Sequence, residues 1–263
     1  MIRVLLLTTL LTVSLFSYSD MDLDGVDDKN DQCPNTLLTE LVDMTGCTIK
    51  NLVSNQHFDI ILGGSRDRYD GSTTKSTTVR ADYYGDDYSL SLSTSNISST
   101  SGNSNQDEQY DTYLNVYHET KPNDHLSVKL NAGLIIPSHS NDDNKLDIVF
   151  GASSSYTYDN GMSLFGYLGY TIIGDKDKEH LVEYQNTLYA NFGLGKQVNS
   201  KLYTSLSYSI SNSVYDGYEN LRSVMVNASY TLDEHWFLTL GYSRGLSDSA
   251  VDRSTYVNIG YYW

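Results

Sequence analysis

The feature that most restricts the fold is a period of two that recurs from about Gln56 to the last residue. It is cleanest at the end, Ser254–Trp263. There Thr255, Val257, Ile259, Tyr261 and Trp263 share one face, and Tyr256, Asn258, Gly260 and Tyr262 share the other. Successive side chains of a strand point to opposite faces, so this stretch reads as a strand between an apolar and a polar environment. The same alternation returns at Phe58/Ile60/Leu62, Val79/Ala81/Tyr83, Tyr88/Leu90/Leu92, Leu114/Val116 and Leu126/Val128/Leu130. It continues at Ile148/Phe150, Leu164/Gly166/Leu168, Leu188/Ala190/Phe192, Leu202/Thr204/Leu206, Val224/Val226/Ala228 and Trp236/Leu238/Leu240. With the last strand that makes twelve, each about ten residues long, the length that crosses hydrocarbon at a tilt.

The connections alternate as well. Short polar turns fall at 85–87, 121–124, 159–161, 199–201 and 233–235, and longer links at 65–75, 97–109, 137–145, 174–182, 211–220 and 247–252. Long and short links therefore belong to opposite rims. A sandwich would alternate apolar and polar residues but would not sort its loops by length. The expected fold is all-β, a 12-stranded antiparallel transmembrane β-barrel over 56–263. Closure leaves no unpaired edge in lipid.

Met1–Ser19 carries Arg3, an apolar run and small residues at its end, the pattern of a secretory signal peptide. No later segment approaches the roughly 18 consecutive apolar residues of a spanning helix. The chain has 23 Tyr, 19 Gly and only 3 Pro, with a net charge of −16. That charge argues against nucleic acid and against binding anionic lipid by charge. It suits divalent cations. Cys33 and Cys47 lie close together in an exported chain, where a disulfide is the common fate of such a pair.

Between signal and barrel, Asp20, Asp22, Asp24, Asp28 and Asp31 stand at positions 1, 3, 5, 9 and 12 of a loop, with Gly25 at position 6. Calcium takes six to eight oxygen ligands, and such a loop wraps them round one ion, the Val26 carbonyl supplying position 7. The alternative is a solvated acidic linker. Asp20–Thr36, continued by Val42-Asp43 and Gly46-Cys47, resembles the thrombospondin type 3 repeat of OmpA-type envelope proteins. The resemblance implies Ca2+ as cofactor over 20–50 and a Cys33–Cys47 bridge. Such repeats usually come in tandem, and this chain has one copy.

The inward faces are small and polar, with charges at Asp59, Arg80, Asp82, Glu119, Lys129 and Asp147 and tyrosines that include Tyr117, Tyr167 and Tyr189. Arg80, Asp82, Lys129, Asp147 and Tyr189 are the expected lumen-lining residues. Either the cations pair with acids and fill the lumen, or the tyrosines line a solute path. Twelve strands stand between the roughly eight that side chains fill and the roughly sixteen that leave a water channel. For catalysis, the His139-Ser140-Asn141 run is the nearest candidate, but adjacent strand residues point apart and cannot pass a proton. The chain is not expected to be an enzyme.

The closing strand, with Tyr261 and Trp263 at its end, resembles that of bacterial outer-membrane barrels, whose terminal aromatic is an assembly signal. That implies outer-membrane lipid and the outer-membrane assembly machinery as partners, with both barrel termini in the periplasm. Asn131–Pro137 through Gly169-Tyr170 resembles barrels of the phenol meta-pathway family, which are thought to admit aromatic or hydrophobic compounds. The function expected is a small-solute channel. A structural or adhesive barrel is the alternative, and a membrane hydrolase a more distant one.

Two outcomes follow from the residues alone. Asp24→Ala combined with Asp31→Ala should abolish calcium-dependent heat in calorimetry of the purified chain without unfolding the barrel, because the loop and the barrel share no apolar pattern. Deleting Trp263, or Trp263→Lys, should lower the amount of heat-modifiable, membrane-embedded protein; normal levels would remove the basis for an assembly signal there.

Overall fold

The computed structural model describes residues 31–32, 56–85, 87–101, 104–109, 111–138, 145–175 and 183–263. The chain divides into two compact units, Met1–Ser54 and Asn55–Trp263. The signal peptide lies outside the described residues, as do all the proposed calcium ligands but Asp31, and both cysteines.

The second unit is a single antiparallel sheet. Its segments are β1 (His57–Tyr69), β2 (Ser72–Tyr84), β3 (Tyr88–Ser101), β4 (Ser104–Gln109), β5 (Thr112–Asn123), β6 (Leu126–Ile136) and β7 (Asp147–Thr157). They are followed by β8 (Met162–Ile172), β9 (Thr187–Asn199), β10 (Leu202–Ser211), β11 (Leu221–Thr231), β12 (Trp236–Gly245) and β13 (Arg253–Tyr262). Neighbours in sequence pair in space, and β13 returns to pair with β1 from Asp59↔Tyr262 to Arg68↔Arg253. The Trp263 N–H donates to the Phe58 carbonyl at 2.8 Å and extends that closure to the last residue.

The thirteen segments make twelve staves, because β4 and β5 are one strand broken by a bulge. Asn96 of β3 faces Gln109 and Ser93 faces Tyr113, so three steps on β3 match four on its partner. One inserted residue bends the strand and frees a short stretch from the ladder.

The outward faces are those the alternation marks. Phe58, Leu62, Leu92, Leu130, Phe150, Leu168, Leu188, Phe192, Leu206, Val226 and Val257 are exposed on the outside of the sheet, while Asp59, Ile61, Asp82 and Ser163 on the other face are buried. An exterior of this kind needs lipid around it. Aromatic rings gather at the rim that holds both barrel ends: Phe58 beside Tyr83, Tyr88 beside His118, His125 beside Tyr156, and Tyr261 in contact with both Trp236 and Trp263.

The turns on that rim reuse one device. The Asn123, Asn160, Asn199 and Asp233 side-chain oxygens each accept backbone N–H groups two or three residues on, for example Lys201 and Leu202 onto Asn199 at 2.9 Å. Such Asx turns replace ladder partners where the chain reverses. At Asp233 the His235 and Trp236 N–H groups hold the carboxyl below its ordinary range.

Two of the expected long links are corrected. Residues 65–75 and 97–109 are mostly strand: β1 and β2 pair through to Tyr69↔Ser72, and β3 and β4 through to Ser101↔Ser104. The first hairpin turns on Asp70-Gly71 alone, at φ 44° and 77°, the left-handed pair that a two-residue hairpin requires. These extensions are rich in Ser and Thr on both faces, so the apolar alternation fades while the backbone ladder continues.

Inside the barrel, aromatic rings lie across glycines of the next strand and bond to the strand beyond. Tyr256 of β13 covers Gly241 of β12, and its hydroxyl donates to Asn227 Oδ1 of β11 at 2.7 Å. Tyr203 of β10 covers Gly195 of β9 and reaches the Ser163 hydroxyl of β8 at 2.9 Å. A Cβ on Gly241 would overlap the Tyr256 ring. We therefore expect Gly241→Ala to destabilise the barrel by about 1–3 kcal/mol through overpacking. The double variant Gly241→Ala/Tyr256→Ala should lose less than the sum of the two single changes in urea unfolding. Strict additivity would show that the ring does not rest on the glycine.

Candidate functional site: the barrel lumen

The lumen is built by the inward register of the strands, and its charges are unevenly placed. Near the rim that holds the termini, Asp59 of β1 stands directly opposite Asp82 of β2, each only 4% exposed. Two residues before Asp82 on the same face, Arg80 Nε donates to Asp82 Oδ2 at 2.9 Å. His57 Nε2 lies 3.7 Å from Asp59 Oδ1, and its ring stacks on Tyr84 at 4.5 Å between centroids. Two carboxylates so close in a half-dry site repel one another, and Arg80 and His57 offset that repulsion. Among the described residues Asp59 Oδ1 and His57 Nδ1 have no hydrogen-bond partner.

A second charge pair faces the lumen from β5 and β6. Lys129 Nζ lies 3.4 Å from Glu119 Oε2, whose other oxygen accepts the Ser127 hydroxyl at 2.7 Å. The Lys129 ammonium also stands 6.0 Å from the Tyr117 ring centre, the outer limit of a cation–π contact. Asp147, at the first position of β7, accepts the Gly174 N–H at 2.7 Å and so belongs to the opposite rim rather than to these pairs.

Three cavities lie beside these groups. One of about 150 Å³ is lined by Arg80, Asp82, Tyr84, Tyr117 and Lys129. One of about 350 Å³ runs from Glu119 and Lys129 past Ser153 and Ser155 to Phe165 and Tyr167. The third, also about 350 Å³, is walled by Tyr113, Tyr117, Tyr167 and Tyr189 with Ile135 and Val149, and holds Asn115 and Asn131 as its amides. Lys129, Tyr117 and Tyr167 are shared walls. Paired charges thus line one side of the lumen and phenol rings the other, with the Tyr167 and Tyr189 ring centres 5.9 Å apart. Tyr167 is folded over Gly151 and Gly169, where a Cβ would meet its ring or hydroxyl, so the ring lies along the wall and leaves the space open.

Among the sequence candidates, Arg80, Asp82, Lys129 and Tyr189 stand on these cavities and Asp147 at the far rim. Sequence reasoning assigned His57 no role, although its spacing of two from Asp59 puts both on one strand face. The His139-Ser140-Asn141 run lies outside the described residues. Among the described residues no three His, Cys, Asp or Glu side chains form a metal-holding group.

A closed, even-stranded antiparallel barrel with an apolar exterior and a charged, tyrosine-lined interior is the architecture of outer-membrane channels. The chain belongs to the family described as the MetA-pathway of phenol degradation, whose pattern matches residues 48–262. Its fold is similar to that of an outer membrane channel from Pseudomonas putida, with a TM-score of 0.63 at 11% identity, covering 80% of this chain and 96% of that one. It is also similar to the NanC porin, with a TM-score of 0.59 at 11% identity over 78% of this chain and 98% of that one. For the KdgM porin the TM-score is 0.53 at 12% identity, over 77% and 98%. None of the curated proteins matches the chain.

Proposed function

We propose that the protein is a passive outer-membrane channel for small, neutral or cationic solutes with an aromatic or hydrophobic part. The observation that carries this reading is the lumen lining, in which a tyrosine-walled cavity of about 350 Å³ shares Tyr117 with a smaller cavity lined by charges. Phenol rings offer a solute flat apolar faces with hydroxyls at their edges, which suits aromatic guests and needs no fixed cation. The family's description, with its reference to phenol degradation, supports the same class.

Charge sets the second part of the proposal. On the inward register Asp59, Asp67, Asp82, Glu119 and Asp147 face Arg80, Lys129 and, at the rim, Lys121, an excess of carboxylate. Both Arg80 and Lys129 already have an acidic partner. The lumen therefore attracts cations and repels anions. In this proposal the rim with short turns and both barrel ends faces the periplasm. The Asp20–Cys47 segment is in this proposal a periplasmic calcium-binding module, and Tyr261 and Trp263 present the assembly signal.

Single-channel recording in planar bilayers tests the reading. Steady ohmic steps with a reversal potential on the cation side are expected in a salt gradient, and silence would sink the channel in favour of a structural barrel. Arg80→Ala frees the Asp82 carboxylate and should raise the cation preference further, as should Lys129→Ala through Glu119. The half-exposed Lys129–Glu119 pair contributes at most about 1 kcal/mol. The variant barrel should therefore remain folded, and the change should appear in permeation alone.

A further inference from the structure

Arg80 and Lys129 face the lumen, but five other basic side chains take the outward register and gather at one place. Arg244 of β12 is the cross-strand partner of Arg253 of β13, which in turn is the partner of Arg68 of β1. One step away on the same face, Arg66 of β1 is the partner of Lys75 of β2. Arg66, Lys75, Arg244 and Arg253 are exposed and Arg68 half-buried. All five stand on the exterior register, which the exposed Leu62, Val79, Leu240 and Val257 of the same strands define. They lie toward the rim away from the barrel ends, beyond the apolar band. Along β12, for example, Arg244 follows Tyr242 by two residues, about 7 Å of strand.

Directly opposed side chains in an antiparallel pair have Cβ atoms about 5 Å apart, so like charges there repel. Three arginines in a row across three strands are therefore unfavourable unless an anion lies among them. The protein does not supply one: among the described residues no ion pair reaches any of the five. Arg222, the next basic residue along the same rim, is different, because Glu219 pairs with it. Of the carboxylates at this rim, Asp252 accepts the Asp70 N–H at 3.2 Å and makes no ion pair with any of the five among the described residues. In a chain of net charge −16, five unneutralised cations on one outer face are a local reversal of sign.

We propose that this row, Arg244–Arg253–Arg68 with Arg66 and Lys75 beside it, is a binding site for the phosphate groups of a phosphorylated glycolipid in the outer leaflet. The site faces the membrane, not the lumen, and stands just past the hydrocarbon-facing side chains, at the depth where lipid phosphates lie. A guanidinium presents two parallel N–H donors to a phosphate, and neighbouring arginines can hold a diphosphorylated headgroup at two points. The choice of the outer leaflet rests on the proposed orientation of the barrel. The phosphate chemistry does not, and neither depends on whether the lumen conducts.

The test uses the full chain in neutral detergent and follows its thermal unfolding on a cold gel as lipid is added. Bisphosphorylated lipid A should raise the unfolding temperature, and lipid A stripped of both phosphates should not. In the triple variant Arg68→Gln/Arg244→Gln/Arg253→Gln, half-saturation should need at least about tenfold more bisphosphorylated lipid A, since the loss of even one charge-assisted contact costs about that factor. Equal shifts from both forms of lipid A would overturn the proposal, because the acyl chains alone would then account for binding. A shift matched by inorganic phosphate would reduce the row to a free-anion site, and one matched by phosphatidylglycerol would place it in the wrong leaflet; either overturns the assignment. If the triple variant does not fold, the comparison of the two lipid A forms on the wild-type chain still decides.

Discussion

The pairing of β13 with β1 is the constraint on which the rest of the barrel depends. Every backbone N–H and C=O of a strand in hydrocarbon must find a partner within the protein, and a sheet meets that demand only when its first and last strands join. The ladder from Asp59↔Tyr262 to Arg68↔Arg253, completed by the Trp263 N–H on the Phe58 carbonyl, joins them. Once closed, the sheet has one inner and one outer surface, and the parity of a residue's position assigns it to one of them. A slip of one residue at this seam would exchange Asp59 with Phe58 and turn charge into lipid.

That assignment gives the molecule its electrostatic design. Asp59, Asp67, Asp82, Glu119 and Asp147 take inward positions while Arg66, Arg68, Lys75, Arg244 and Arg253 take outward ones near one rim. The proposed cation preference of the lumen and the proposed phosphate site on the exterior both rest on this division. The overall charge of −16 conceals this, because it averages over both surfaces and the acidic leader.

The inner surface is kept open by pairs of residues rather than by strand number alone. Twelve staves enclose less space than a wide porin, and tyrosines standing upright would fill much of it. Glycines at 151, 169, 195 and 241 let Tyr167, Tyr203 and Tyr256 lie along the wall. The bonds from Tyr256 to Asn227 and from Tyr203 to Ser163 each span three strands, so the same side chains that clear the lumen also fix the register.

The sequence by itself determined the fold class, the twelve strands and which face of each meets lipid, because alternation with a period of two needs no knowledge of neighbours. Phe58, Leu92, Phe192 and Val257 stand where that pattern puts them. It misjudged 65–75 and 97–109, where both faces of the hairpins are polar and the pattern falls silent while the hydrogen-bond ladder runs on. Only the tertiary structure decided which residues meet across strands. That Asp59 faces Asp82, that Tyr256 covers Gly241 and that Arg244, Arg253 and Arg68 form one row are consequences of register between distant segments. Register depends on turn lengths, the bulge before Tyr113 and the shear of the closed ring, which no local pattern in a single strand contains.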